Sequence, residues 1–289
     1  MMAFLFVMLC SSAVWANSEI EFAQRKIKII RNYSQHGSLR SVESTVDGLA
    51  EALDQSQLTL VDVGTTDQEL KDLWTAARTK HLAYLVESLR ESYNSAERNF
   101  WIRTYPNCSF NNVDDLYAVI LAIINGEIDA NPNGLWSPKG KAAEMFKEAF
   151  PGAIAPEVVG TTRTEIYSMI TTLRFTRISQ NLDALRQEMS KVETKEMEFQ
   201  ALDEEAQEKA RDDGFHNDCL TEFLFFFRDL QKFGFDLNDL GTSKAELISI
   251  WEKGRCERGV MRARDCWSVH FETLREYLAL LEWIESLRN

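Results

Sequence analysis

Two carboxylates separated by one residue, Glu127 and Asp129, have the types and spacing that acid–base chemistry requires. A glycosidase needs one carboxylic acid with a raised pKa and a second carboxylate facing the same cleft. Trp101, Tyr105 and Trp136 lie near the pair in sequence and could stack on sugar rings. The pair therefore predicts, as an alternative to a binding function, a hydrolase of cell-wall polysaccharide such as peptidoglycan.

Other catalytic and metal-binding patterns are weak or missing. The segment Asp129–Gly134 has the oxygen donors and the glycine of the first half of an EF-hand loop. The twelfth loop position is Gly140 instead of the glutamate that calcium requires, so we interpret the segment as a tight turn. His216 and Cys219 lack a specific zinc spacing, and the chain contains no HExxH, GxSxG, P-loop or GxGxxG motif. We expect no metal and no cofactor.

An arginine-rich stretch is the strongest candidate for binding. Residues 253–264 contain Arg255, Arg258, Arg262 and Arg264, on a chain whose formal net charge is −13. Arginine holds carboxylates and phosphates in bidentate geometry, which predicts an acidic partner or an anionic ligand. A solvated loop that neutralises neighbouring acidic helices is the alternative. The overall negative charge argues against binding nucleic acid or an anionic membrane.

The N-terminus resembles a secretory signal. Met2–Leu9 is an unbroken apolar run, and Val14 and Ala16 stand at the −3 and −1 positions of a cleavage site before Asn17. The run is shorter than the roughly 20 residues that span a bilayer. We expect residues 1–16 to be removed, no membrane span, and export to the periplasm or the extracellular space.

Four cysteines follow this signal, which permits two disulfides in an exported protein. Three connectivities are possible. We expect Cys256 to pair with Cys266 across the short arginine-rich stretch, and Cys108 then to pair with Cys219 by elimination. Four free thiols would give the same sequence.

Helical patterns run from end to end and indicate the elements that position these residues. Three capping boxes start helices at Thr66–Glu69, Thr162–Glu165 and Ser243–Glu246, and Asn112 caps a short apolar helix. Residues 57–63 are the one strand-like segment, which we interpret as an extended connector. The apolar stripe of the second helix consists of Leu39, Val42, Val46, Leu49 and Leu53.

The most distinctive segment is a long helix predicted over residues 163–211, because neither glycine nor proline occurs between Gly160 and Gly214. Its heptad-like apolar spacing is typical of a coiled coil, and a slight break near Glu193 is an alternative. The apolar stripe needs a partner, which is either the rest of the chain or another protein. A stripe left over around Met197, Phe199 and Leu202 would mark a protein interface.

These patterns predict an all-α multi-helix bundle, either as one domain or as two helical lobes linked by a helix of about 45 residues. The Gly- and Pro-rich loop before Trp136 places the division between residues 17–135 and 136–289. We detect no internal repeat.

The predicted function is that of an exported, non-enzymatic helical protein that binds another macromolecule, most plausibly a protein, through the long helix and the arginine-rich stretch. The alternatives are the polysaccharide hydrolase and a receptor for a small ligand inside the bundle.

Overall fold

The computed structural model describes residues 2–36, 39–95, 112–127, 152–212, 220–254 and 271–289. Within these ranges the fold is all-α, as predicted, and contains no strand. No helix in the same ranges has both the length and the apolar character needed to cross a membrane. The predicted division at residues 135 and 136 lies outside the described residues.

The described helices fall into two compact units, Met1–Thr171 and Thr172–Asn289, and the boundary lies inside α5. A 3-10 turn, Pro156–Val159, precedes α5. The helices are α1 (Met2–His36), α2 (Leu39–Ser56), α3 (Asp67–Asn94), α4 (Val113–Asn125), α5 (Arg163–Gln200), α6 (Glu204–Asp212), α7 (Leu220–Phe233), α8 (Lys244–Lys253) and α9 (Phe271–Arg288).

In the first unit, α1 packs on α2 and both pack on α3, which also contacts α4. The predicted stripe of α2 is buried at Val42, Val46, Leu49 and Leu53. Helix α3 buries residues on several faces because it lies between the other helices. Burial of these apolar side chains, at about 25 cal/mol per Å², supplies the main driving force for folding.

Helix α4 is apolar around most of its circumference and is largely buried, as predicted for a core helix. Asn112 caps its N-terminus by accepting a hydrogen bond from the amide of Asp115 at 3.0 Å. At its C-terminus Gly126 adopts a φ of 75°. The buried guanidinium of Arg78 donates to the carbonyl of Glu127 at 3.2 Å and so satisfies part of this end of the helix.

The second unit has a separate core built around aromatic rings. Phe223 of α7 meets Trp251 of α8 edge to face, with ring centroids 5.2 Å apart. Phe227 meets Trp283 of α9 at 5.1 Å. The indole rings of α8 and α9 both pack against phenylalanine rings of α7, so these contacts join the three helices.

The long helix predicted over residues 163–211 is interrupted. Helix α5 ends at Gln200, later than the break considered near Glu193, and α6 begins at Glu204. The carboxylate of Asp203 accepts from the amide of Ala206 at 2.9 Å, which makes Asp203 the N-cap of a new helix. Two glutamates after this cap are favourable at a helix N-terminus, and they restart the helix there.

A polar cluster fixes the N-terminus of α3. Thr66 accepts from the amide of Glu69 at 3.1 Å, which confirms the predicted cap. The hydroxyl of Thr65 donates to one carboxylate oxygen of Glu69 at 3.0 Å. Arg31 of α1 donates to the other oxygen at 2.7 Å and to the carbonyl of Gly64 at 3.4 Å. The arginine thus ties one helix to the start of another, and we call this five-residue arrangement a clamp.

The same clamp recurs at the N-terminus of α5. Thr162 accepts from the amide of Glu165 at 3.1 Å, and the hydroxyl of Thr161 donates to the Glu165 carboxylate at 2.9 Å. Arg90 of α3 donates to the other carboxylate oxygen at 3.1 Å and to the carbonyl of Gly160 at 2.7 Å. The second predicted cap is therefore also confirmed.

A third clamp lies at the N-terminus of α8. Ser243 accepts from the amide of Glu246 at 3.1 Å, and Thr242 donates to the carboxylate at 2.9 Å. Arg186 of α5 donates to Glu246 at 2.8 Å and to the carbonyl of Gly241 at 3.0 Å.

The backbone of the three clamps is also the same. Each clamp glycine has a positive φ, of 80°, 70° and 66° along the chain. In each, the amide of the following threonine donates to the carbonyl five residues earlier, at 3.0, 3.3 and 3.0 Å. In the first copy this turn begins at Leu60. Residues 57–63 therefore form a connector and no strand, as predicted, but the second half of the connector is a turn and is not extended. Thr59 and Asp62 close that turn through a 2.8 Å amide–carboxylate bond.

The clamp motif occurs three times in the chain, although no segment repeats at a fixed period. Arg90 follows Glu69 by the same interval as Arg186 follows Glu165 (90 − 69 = 186 − 165 = 21). In both α3 and α5, the glutamate of the first turn accepts from an arginine of an earlier helix. An arginine about 32 Å further along the same helix donates to the next clamp.

Candidate functional site

Helix α5 extends further beyond its clamp arginine than the other helices do. Helix α1 ends five residues after Arg31 and α3 ends four residues after Arg90, whereas α5 continues for fourteen residues after Arg186 (36 − 31, 94 − 90 and 200 − 186). The last buried residue of α5 is Val192. We call residues 193–207, which comprise the end of α5, the following turn and the start of α6, the extension.

The extension presents large apolar side chains to solvent. Met197 is 65% exposed and Leu202 is 42% exposed. Phe199, between them, is half-buried. Earlier in α5 the heptad-like stripe is buried in its own chain, so the predicted leftover stripe begins only after Val192. Met197 and Phe199, selected from the sequence as contact residues, both lie in the extension.

Hydrogen bonds hold the turn inside the extension in one conformation. The amide of Leu202 donates to the carbonyl of Phe199 at 3.2 Å, and the side chain of Gln207 donates to the carbonyl of Leu202 at 3.0 Å. The cap made by Asp203 completes the turn. These bonds order the backbone of the turn at Leu202, which lowers the entropic cost of ordering it on binding.

Acidic side chains surround these apolar residues. Among the side chains that the structure describes here, the exposed carboxylates are those of Glu193, Glu198, Asp203, Glu204 and Glu205. Glu193 lies 3.7 Å from the ammonium group of Lys253, the last residue of α8. Both of these side chains are largely exposed, so the ion pair contributes little to stability.

Polar side chains lie in or against the helical core of both units. His81 of α3 is only 8% exposed, and its Nε2 atom has no hydrogen-bond partner among the described residues. Burial lowers the pKa of His81 to about 4, so the imidazole is neutral at pH 7. The equivalent residue of α5, twelve positions after the clamp glutamate, is Arg177 (81 − 69 = 177 − 165), which pairs with Asp229 of α7 at 3.2 Å. Burial raises the pKa of Asp229 even though Arg177 and Asn181 oppose the shift.

The predicted catalytic pair is only partly described. Glu127 is exposed, and its carboxylate accepts a hydrogen bond from Asn125 at 3.2 Å. Asp129 lies outside the described residues, so the pair stays a prediction.

Several other predicted site residues also lie outside the described residues. They are the arginines at 255, 258, 262 and 264, the calcium-loop segment, and the four cysteines of the expected disulfides. Within the described ranges, no group of three or more metal-binding side chains lies close together.

No family model matches the chain, and comparison with curated proteins and solved structures finds no significant match. The function is therefore inferred from the side chains of the extension and from the helices that carry them.

Sequence reasoning missed the clamps, the buried His81 and the pair of Arg177 with Asp229. A signal existed for the clamps, because Gly–Thr–Ser/Thr–x–x–Glu occurs at residues 64–69, 160–165 and 241–246. His81 carries a weaker signal: it lies seven residues after Trp74 on the buried side of α3.

Proposed function

We propose that this chain is an exported, non-enzymatic helical protein that binds another protein through the extension. The observation that carries the proposal is the exposure of Met197 and Leu202 on a helix end that the clamps do not require. Isolated apolar residues are common on protein surfaces. An exposed methionine in the last turn of a helix and an exposed leucine in the turn that follows, with half-buried Phe199 between them, are typical of a contact surface.

The ion pair between Lys253 and Glu193 supports a wider surface. It brings the end of α8, where residues 253–264 begin in the sequence, to the extension.

Export is part of the proposal and implies cleavage between Ala16 and Asn17, within α1. Arg31, which closes the first clamp, lies after this point and is retained. The intact mass of the protein recovered from producing cells tests this point, because a mature chain starting at Asn17 is expected and a retained N-terminus contradicts export by cleavage.

Site-specific photo-crosslinking in the producing cell tests the binding function. A photoreactive phenylalanine analogue at Met197 is expected to give a discrete adduct with another protein. The same analogue at Val61, which is 76% exposed and lies in the other unit, is the matched control. Absence of an adduct at position 197, or identical adducts at both positions, would reject the extension as a binding surface.

A further inference from the structure

The extension lies outside the repeated part of the fold. All three clamps are complete without it, because Arg186, the last clamp residue of α5, precedes Val192, where the buried face of the helix ends. The apolar side chains of the extension consequently need an explanation other than packing of the frame.

The charge around these side chains is one-sided. Among the residues with described side chains, the extension carries five exposed carboxylates and a single cation, Lys195. The ion pair with Lys253 occupies only Glu193, at the edge of the extension. Glu204 and Glu205 lie next to the turn that presents Leu202, so a group that buries Leu202 must approach their charges.

We infer that the extension binds a cationic amphipathic segment of its partner, in which lysines or arginines flank large apolar side chains. This inference rests on the proposed binding function and specifies the chemistry of the partner. Apolar anchors cover Met197 and Leu202, and the flanking cations approach the carboxylates, which relieves the repulsion between them. An acidic partner or an anionic membrane would meet like charge at the same place.

A helix is a suitable form for this segment. Met197 lies in the last turn of α5, and Leu202 lies in the turn that follows (202 − 197 = 5 residues later). An amphipathic helix carries an apolar stripe with cations on either side, so one segment can bring both kinds of group to the extension.

The test titrates the purified full chain with three labelled helical peptides of equal length. One peptide contains leucine and lysine, the second contains leucine and glutamate, and the third contains lysine and glutamine with no large apolar residue. Fluorescence anisotropy is expected to show binding of the leucine–lysine peptide at least tenfold tighter than of the other two. Raising the salt from 50 to 300 mM shortens the screening length to about 6 Å and should weaken this binding about tenfold.

Variants locate the binding site. Met197→Ser is expected to weaken binding of the leucine–lysine peptide about tenfold, because it removes an anchor contact. Replacing both Glu204 and Glu205 by glutamine is expected to reduce the salt dependence. Val61→Ser is the matched control and should leave the affinity unchanged. Since all three sites are exposed, unchanged melting curves will show that the variants fold.

The inference is overturned if the leucine–glutamate peptide binds equally well, or if Val61→Ser weakens binding as much as Met197→Ser. These outcomes are distinct from failure of the proposed function. Adducts at position 197 in cells, combined with no preference for the cationic peptide, would leave the binding function in place and reject only the partner chemistry.

Discussion

Acidification should destabilise the first unit through His81. The pKa of this buried imidazole is about 4 in the folded chain and about 6.5 when exposed. Its folded pKa is therefore depressed, so the unfolded state takes up a proton first as the pH falls, and stability is lost between about pH 6.5 and pH 4. At 1.36 kcal/mol per pKa unit, the loss between pH 7 and pH 5 is about 2 kcal/mol.

The variant His81→Leu isolates this contribution. It removes the titrating group and also the Nε2 atom that lacks a partner, so it should retain the stability of the parent at pH 7 or exceed it. Asp47 of the same unit acts in the opposite direction, because burial and Glu51 raise its pKa to about 6 and its charge is unfavourable above that pH. The difference between parent and variant cancels the effect of Asp47, which both contain.

Hydrogen exchange followed by mass spectrometry provides the assay, with rates corrected for the intrinsic effect of pH. Peptides from α3 report on the first unit, and peptides from α7 serve as an internal control. The parent should lose about 2 kcal/mol more protection in α3 than His81→Leu when the pH falls from 7 to 5. If the two proteins lose the same protection, the imidazole is not titrating as a buried group and the reasoning is wrong.

Three further predictions concern stability. A double-mutant cycle of Arg186→Ala with Glu246→Gln, followed by denaturant unfolding, should give a coupling free energy of about 1 kcal/mol, and simple additivity would contradict the clamp. Arg177→Leu should lower the free energy of unfolding by about 2 kcal/mol, because it removes the cation that pairs with the carboxylate of Asp229. Adding Asp229→Leu should restore most of that loss, and no recovery would reject the pairing. Gly126→Ala should lower the melting temperature more than the same change at a clamp glycine. A Cβ at Gly126 would lie 2.7 Å from a backbone nitrogen, whereas at the clamp glycines it meets nothing within 4 Å.

Local chemistry made the helices predictable from the sequence. Thr66, Asn112, Thr162 and Ser243 mark helix starts because each side chain can accept a bond from an amide two or three residues later. The apolar stripe of α2 was readable for the same reason, since residues three and four apart share one face. The end of α5 was misplaced because Asp203 lies in a run of acidic residues, where its sequence does not distinguish it as a cap. The structure shows that its carboxylate caps α6.

The clamps were not predictable from local chemistry. Each joins an arginine to a glutamate 38, 75 or 60 residues away. The sequence around the arginine gives no indication of which glutamate it contacts. Unequal insertions also hide the repeat. From the left-handed residue that ends the preceding helix to the clamp glycine, the chain uses 7, 34 and 7 residues (64 − 57, 160 − 126 and 241 − 234). A search for one fixed period therefore finds none.

Met197 and Phe199 stand out in the sequence as apolar residues in an acidic run, and both lie in the extension, where their role in binding stays a prediction. The exposure of Met197 could not be derived from the sequence, since the same spacing buries Ile178, Leu182 and Leu185 earlier in α5. Whether an apolar stripe is covered depends on where neighbouring helices end, which is a property of the tertiary structure.

The clamps also set an order in which the parts of the chain can assemble as it is synthesised. The first clamp needs nothing beyond residue 69, so α1 and α3 can be joined while most of the chain does not yet exist. The second must wait for residue 165 and closes a loop about twice as long, 75 residues against 38, at an added entropic cost of about 0.6 kcal/mol. The third depends on α5, whose first turn the second clamp has already fixed. Each arginine precedes its glutamate in the chain. During synthesis the hydrogen-bond donor of a clamp is therefore present before the helix that carries the acceptor.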